Sequence, residues 1–350
     1  MTASRVGFPR AFHEHGRKIA RSVARPIYGG AGCILSFHRI VPDHELSAFP
    51  QNRALEITPQ ALRAMLSWVQ HRGLEVIRLE EVRQRLASPR RPKFVVFTFD
   101  DGYRDNLTNA LPIFRDFGMP FTLHVTTAFL SRTASVWWYA IEDVLAAREE
   151  IAFAWAGARH HFALGTREDR ARAFDAISTM IRAQGPTSRD ELVATFCAAG
   201  GIDPMERTYE LMLTWEELKA MAGEWHVNVG SHGAAHHQLG RLSDSEAEEE
   251  LIDSRAELEA RLDRPVRHLA YPFGDADAVG KREFDLARDS DFTTAMTTRR
   301  GNLFHQHAWH LQALPRLVID GNEPSLDYLR ELECGLLGAK ANAWRRVVVE

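Results

Sequence analysis

Short runs of β-branched and aromatic residues recur along the chain, each followed by a stretch with helical spacing. Cys33-Ile34-Leu35-Ser36-Phe37, Val76-Ile77-Arg78-Leu79, Phe94-Val95-Val96-Phe97-Thr98-Phe99 and Phe121-Thr122-Leu123-His124-Val125 read as buried strands. Between the first two, Thr58 caps a helix that has Pro59 at its first position and runs through His71 to Gly73. Further helices are predicted up to Leu86 and over Asn106–Phe117, the latter stopped by Gly118. Strands alternating with helices at this spacing imply βα units and a parallel sheet. The predicted fold class is therefore α/β, a deformed (β/α) barrel of about seven strands.

The alternation breaks over residues 131–212. That stretch begins with Trp137-Trp138-Tyr139, has helical patterning near 140–149, 167–183 and 188–199, and is punctuated by Gly185-Pro186 and Gly200-Gly201. It reads as a helical insertion between two barrel units. The capping box Thr214-Trp215-Glu216-Glu217 then reopens the pattern. An apolar run to Ser231 follows, then a long charged helix from Asp244 to Leu262. Strands at Leu269-Ala270-Tyr271, Phe292–Ala295 and Arg316–Ile319 complete it. The expected organisation is a basic N-terminal segment at 1–30, a barrel at 31–330 with the insertion at 131–212, and a C-terminal tail at 331–350. An insertion that directly follows a strand should rise on the barrel face where strands end.

Candidate chemistry sits at such strand ends. Phe94–Phe99 finishes in Asp100-Asp101-Gly102, and adjacent carboxylates at a buried strand end need a cation or a shared proton. A second strand finishes in Ser231-His232, with His236 four residues on. The two imidazoles share a side if that turn is helical. Asp101 with His232 and His236 makes a two-histidine, one-carboxylate set that leaves room for water, as catalytic zinc-type sites do.

These residues resemble those of the polysaccharide deacetylases of carbohydrate esterase family four, which share the nodulation-deacetylase (NodB) homology domain. Thr98-Phe99-Asp100-Asp101-Gly102 resembles their first motif, Ser231-His232-Gly233-Ala234-Ala235-His236 their second, and Ala270-Tyr271-Pro272-Phe273-Gly274 their third. Phe37-His38-Arg39-Ile40 and Leu314-Pro315-Arg316-Leu317 are similar to the family's early and late strands. The likeness covers roughly 31–130 and 213–320. It implies a divalent metal on Asp101, His232 and His236, zinc first, with cobalt or nickel as alternatives. Asp100 is left as general base, and the backbone N–H of Phe273 as a donor to the oxyanion. Many relatives open the third motif with an arginine that orients the catalytic aspartate. Ala270 stands there, which makes Arg316 the candidate substitute. For the general acid no clean match exists to the family's late histidine. His38 is the first candidate, ahead of His305, His307 and His310. Trp137 and Trp138 read as an anchor for the insertion or as a platform for sugar rings.

The implied function is removal of acetyl groups from N-acetylated sugars of a bacterial surface polysaccharide or its precursor, with an acetylated oligo- or polysaccharide as partner. An O-acetyl esterase or non-sugar amidohydrolase on the same site, and an inactive glycan-binding protein on the same fold, are the alternatives. The insertion would then cover the site and select glycans while leaving metal binding alone. A hydrophobic content of 45% and a charged content of 26% are ordinary for a globular protein of 350 residues, and a net charge of −4 speaks against nucleic acid as partner. Cys33, Cys197 and Cys334 fit no zinc spacing and no disulfide framework. Residues 1–25 lack the apolar core of a signal peptide, and no apolar run is long enough to cross a bilayer. The expected location is therefore cytoplasmic. The basic, amphipathic start (Arg5, Arg10, Arg17, Lys18, Arg21, Arg25 against Glu14) predicts a cap on the domain, with peripheral contact to an anionic membrane as the second reading.

Overall fold

The computed structural model describes residues 10–88 and 92–349. Among them, seven parallel strands close a barrel: β1 (Gly32–Phe37), β2 (Phe94–Phe99), β3 (Phe121–Val125), β4 (Val227–Ser231), β5 (His268–Ala270), β6 (Thr294–Arg300) and β7 (Leu314–Val318). They bond in the order β1-β7-β6-β5-β4-β3-β2, and β2 pairs back onto β1 along its whole length, from Gly32–Phe94 to Phe37–Phe99. The other edge of β2 is divided. Its first half pairs with the short strand Glu75–Val76, and its last residues pair with β3. The run expected as a strand over 76–79 is thus cut short, because the chain coils into a helical turn at Leu79–Glu81.

Side chains alternate along each strand between two apolar compartments. Leu35, Phe97, Phe99, Leu123, Val125, Leu269 and Leu317 point outward into the large core under the helices. Ile34, Phe94, Val96, Ala270, Met296 and Leu314 point inward and fill the lower barrel. The inward positions nearer the strand ends carry Ser36, Thr98, Asp100, Thr122, His124, His232 and Arg316, all buried. A polar upper interior over an apolar floor aims the chemistry at the end where strands finish.

The helices follow from their caps and breakers: α1 (Arg10–Tyr28), α2 (Pro59–His71), α3 (Leu111–Phe117), α4 (Trp137–Ala147), α5 (Arg167–Arg182), α6 (Pro186–Gly200), α7 (Trp215–Ala222), α8 (Asp244–Leu262), α9 (Lys281–Asp289), α10 (Leu326–Glu333) and α11 (Leu336–Ala341). Thr58 accepts from the Ala61 N–H at the start of α2, and Thr214 does the same for Glu217 at α7. The helix expected over 106–117 opens instead with a wide turn at Asn106–Ala110, where Pro112 removes a donor from the ladder.

Two expectations are corrected. The insertion is not wholly helical: Glu150–Trp155 and Ala158–Ala163 form an antiparallel hairpin. Its turn is Ala156-Gly157, both at positive φ (49° and 78°), the backbone that a two-residue hairpin needs. Phe153 on this hairpin packs edge-on against Phe196 of α6 at 5.5 Å. The segment expected as a tail from 331 holds the end of α10 and all of α11, which pack on α1. Of the basic segment at 1–30, residues 1–9 lie outside the described residues.

Candidate active site

The loop after β2 sets the site. Asp100 continues the strand, its N–H donating to the Phe37 carbonyl at 3.0 Å. Asp101 then turns into left-handed backbone at φ 74°, followed by Gly102 at φ 92°. The turn sends the two carboxylates to different partners. The insertion's exit pins it from the other side, since the Arg104 N–H donates to the Leu211 carbonyl (2.7 Å) and the Leu213 N–H to the Gly102 carbonyl (3.0 Å).

Asp101 faces the histidines. Its Oδ1 lies 3.3 Å from His232 Nε2 and 3.4 Å from His236 Nε2. One donor atom from each residue falls within 4.8 Å of the others, and all three side chains are buried. The His232 Nδ1 is 2.7 Å from the Ala270 carbonyl, an acceptor, so Nδ1 carries the proton and Nε2 turns its lone pair to Asp101. Asp101 Oδ1 meets no hydrogen-bond donor among the described residues. A carboxylate oxygen and two imidazole nitrogens converging in this way form a donor set that can hold a divalent metal ion.

The electrostatics agree with that convergence. Burial would raise the Asp101 carboxyl, but His232, whose Nε2 lies 3.3 Å away, and the neighbouring imidazoles of His236 and His38 outweigh it and hold it below the usual range. Burial pushes His236 down to about 3, which keeps its imidazole neutral. For His232, burial also disfavours the charge, yet Asp100 and Asp101 outweigh it and raise its pKa.

The His232–His236 segment is a loop, not the helical turn the spacing suggested. His236 sits at φ 58° and Gly233 at φ 78°. Two buried charges brace it. Glu250 of α8 accepts from the Ala235 N–H (2.8 Å) and the His237 N–H (3.2 Å), and its other oxygen lies 3.2 Å from His237 Nδ1. A Cβ on Gly233 would press on Glu250 Oε1 at 2.9 Å, and the left-handed backbone there also favours glycine. From the opposite side, Arg189 of α6 donates Nη1 to the carbonyls of Ala235 (3.1 Å) and His236 (3.2 Å). His237 is thereby engaged by Glu250 and not by Asp101.

Asp100 faces the barrel interior. Arg316 Nη1 lies 2.8 Å from it and Ser36 Oγ donates at 3.3 Å. His124 Nδ1 lies 3.3 Å from Oδ1. Arg316 is 1% exposed and also donates Nε to the Thr297 carbonyl at 3.1 Å. Burial raises the Asp100 carboxyl, but Arg316, followed by His232 and His124, more than reverses this and holds it well below the ordinary range. Charge-assisted contacts from a planar guanidinium also fix its orientation.

His38 ends β1 half-buried in the wall of the same cavity. Burial lowers its pKa, offset in part by Asp101 and Asp100. Phe273 has φ 61°, and its ring stands 4.8 Å from that of His236. The later histidines go elsewhere: His305 Nδ1 bonds to the Leu86 carbonyl near the far end of the barrel, and His307 is fully buried. The cavity over the site measures about 520 Å³. Trp137 and Trp138 form one wall, and Asp175, Ser178, Thr179 and Arg182 of α5 form another. Trp138 is also anchored, its Nε1 donating to Tyr103 Oη at 3.0 Å.

Four residues that brace this site escaped the sequence reading: Ser36, His124, Glu250 and Arg189. His124 carried a signal, being the second polar side chain at alternate positions of an otherwise apolar strand (Thr122, His124). Glu250 and Arg189 sit on charged helices where nothing in the pattern separates a buried charge from a solvated one.

The sequence profile described as polysaccharide deacetylase matches residues 87–167 and 188–295. The Bacillus subtilis (strain 168) protein YxkH is 29% identical over 82 residues, 23% of this chain and 28% of that protein. The poly-beta-1,6-N-acetyl-D-glucosamine N-deacetylase of Escherichia coli (strain K12) is 33% identical over 70 residues, 19% of this chain and 10% of that protein. These matches therefore span well under half of either relative. Among solved structures, the Streptococcus pyogenes deacetylase PplD in complex with acetate superposes with a TM-score of 0.55 at 18% identity, over 87% of this chain and 97% of that one. That likeness is one of fold.

Proposed function

The chain belongs to the polysaccharide deacetylase family, and from that premise we propose that it hydrolyses the acetyl group of N-acetylated sugars in a bacterial surface polysaccharide or its precursor. The observation that carries this reading is the division of two adjacent carboxylates, Asp101 toward His232 and His236 and Asp100 toward Arg316. Asp101, His232 and His236 would hold the metal. When bound there, a divalent cation supplies positive charge that polarises an acetyl carbonyl and acidifies water.

The remaining work falls to the chain. Asp100, kept ionised by Arg316 and aimed by His124 and Ser36, takes a proton from the attacking water. The Phe273 N–H, turned by the left-handed backbone after Pro272, stands as the donor to the oxyanion of the tetrahedral intermediate. The departing amine needs a proton, and His38 at the cavity wall is the group assigned to give it. Burial favours its neutral form. It therefore acts as a relay that is protonated during the cycle, with Asp100 as the source of that proton. Trp137 and Trp138 offer apolar faces to the sugar ring, and the polar face of α5 offers hydrogen bonds to its hydroxyls.

The test is acetate release from matched N-acetylated and O-acetylated oligosaccharides by chelator-treated protein, before and after zinc is restored. Release from the N-acetylated set that depends on zinc and is lost in Asp101→Ala is expected. Equal release by metal-free protein would overturn the reading, and release from the O-acetylated set alone would make it an esterase.

A further inference from the structure

We propose that the face built around α1 docks on a membrane surface rich in anionic phospholipid. Ile19, Val23 and Ile27 lie four residues apart on α1 and are 55%, 62% and 40% exposed. Four-residue spacing puts them in one stripe. The opposite face of α1 is committed to the protein. Ala24 is buried, Arg21 pairs with Asp327 at 3.3 Å, and Arg25 with Glu333 at 2.6 Å. The exposed stripe is therefore not a helix face awaiting the barrel.

Two cationic grooves that share Arg25 and Pro26 open beside α1. One, of about 570 Å³, is lined by Lys18, Arg21, Arg25, Arg72 and Arg330, with Glu333 as the single carboxylate among its lining residues. The other, of about 340 Å³, is lined by Arg25, Arg85, Lys93, His305 and Arg346, with Ile27 at its edge and no carboxylate. Some of this charge is answered locally, Arg85 by Glu75 at 2.8 Å and Arg330 by Asp327 at 2.8 Å. Among the described residues, the carboxylates that pair with the arginines of these grooves are Glu75, Asp327 and Glu333. Arg72 over Trp68 and Arg346 over Tyr28 and Phe304 add aromatic backing to the cationic rim.

A bilayer with anionic headgroups answers both features at once. Its interface takes up a shallow row of isoleucine and valine, while its phosphates meet the lysines and arginines of the grooves beside α1. A nucleic acid would satisfy the cations and leave the apolar stripe wet. No helix among the described residues is long and apolar enough to cross a membrane, so the contact is interfacial. Orientation follows. The second groove is lined by Ala31 and Lys93, just before β1 and β2 begin, whereas Asp100 follows the end of β2. A strand of this length rises about 20 Å, so a docked molecule turns its active-site face away from the lipid and toward glycan in the aqueous phase.

The experiment is flotation of the full chain with vesicles of phosphatidylcholine alone and of phosphatidylcholine with phosphatidylglycerol. Binding is expected on the mixed vesicles only, falling as salt is raised. The triple variant Ile19→Ser, Val23→Ser, Ile27→Ser should partition at least about tenfold more weakly while melting at the parent's temperature. Lys93→Gln with Arg346→Gln, which leaves the stripe intact, should weaken binding as well. Absence of binding to mixed vesicles, equal binding to phosphatidylcholine, or a folded triple variant that binds like the parent would each overturn the proposal. So would a dimer in sedimentation that the triple substitution dissociates while vesicles are ignored, since the stripe would then belong to a second copy.

Discussion

One backbone angle separates the fates of two neighbouring side chains. Asp100 is still on the strand, whereas Asp101 at φ 74° is not, so carboxylates that would repel each other point apart. Asp100→Asn removes the proposed proton acceptor but leaves Asp101 and both histidines in place. It should retain bound zinc and lose about two to four orders of magnitude in acetate release. Loss of zinc in that variant would show that the division of roles is wrong. Arg316 sets the working range of Asp100. Burial alone would raise this carboxyl, and Arg316 is the first of the groups that reverse it. Arg316→Met therefore lets the pKa climb, leaves less of the carboxylate ionised at a given acid pH, and should move the acid limb of kcat/KM to higher pH. An unshifted limb with lower turnover would mean that Arg316 only positions Asp100. The residues behind this pair were partly legible. Asp100, Asp101, His232 and His236 stand at the ends of apolar runs. His124 was hidden in a strand, although its inward parity is shared with Asp100 on β2, His232 on β4 and Arg316 on β7.

Elements show where local pattern stopped being informative. Barrel strands with aromatic and β-branched runs were readable, and so were the helices that open on Thr58 or on the Thr214 box, because both signals are local. The hairpin at 150–163 was not, since its turn is Ala156-Gly157 in place of an asparagine or aspartate before glycine. The His-x-x-x-His spacing was compatible with a helix, and only tertiary contacts make it a loop. Those contacts change what the insertion does. It was expected to cover the site without affecting metal. Yet Arg189 of α6 holds the Ala235 and His236 carbonyls, and the insertion's exit pins the loop of Asp101. Arg189→Met should therefore weaken zinc or cobalt affinity about 10- to 100-fold, the usual effect of losing a group that orients a ligand. Cobalt titration followed by absorbance would show it independently of turnover. Affinity equal to the parent's would mean that Glu250 braces the loop unaided. Replacing 131–212 by a short linker should then lower metal affinity as well as change the choice among glycans.

At the scale of the whole molecule the barrel has two ends of different character, an apolar floor under a polar upper interior, and that arrangement has a consequence for stability. Away from the carboxylates of the site, burial holds two histidines neutral. His268 on β5 is buried with its Nδ1 2.8 Å from Thr294 Oγ1, and burial pushes its pKa down to about 3. His307, beneath the barrel, is pushed down to about 4 by the same cause. In the unfolded chain each takes up a proton near the ordinary histidine value of about 6.5. Between that pH and the folded value the unfolded state binds more protons than the native one, so stability rises with pH and is lost on acidification. Each such group contributes a slope of up to about 1.4 kcal/mol per pH unit over that window. Melting of the chelator-treated protein should therefore fall steadily from about pH 6.5 toward pH 4. In His268→Gln, whose amide can still reach Thr294 but cannot titrate, the same curve should be shallower, with variant and parent drawing closer as the pH drops. Parallel curves for the two would mean that His268 already carries a proton in the folded barrel, and that the interior is wetter there than its burial implies.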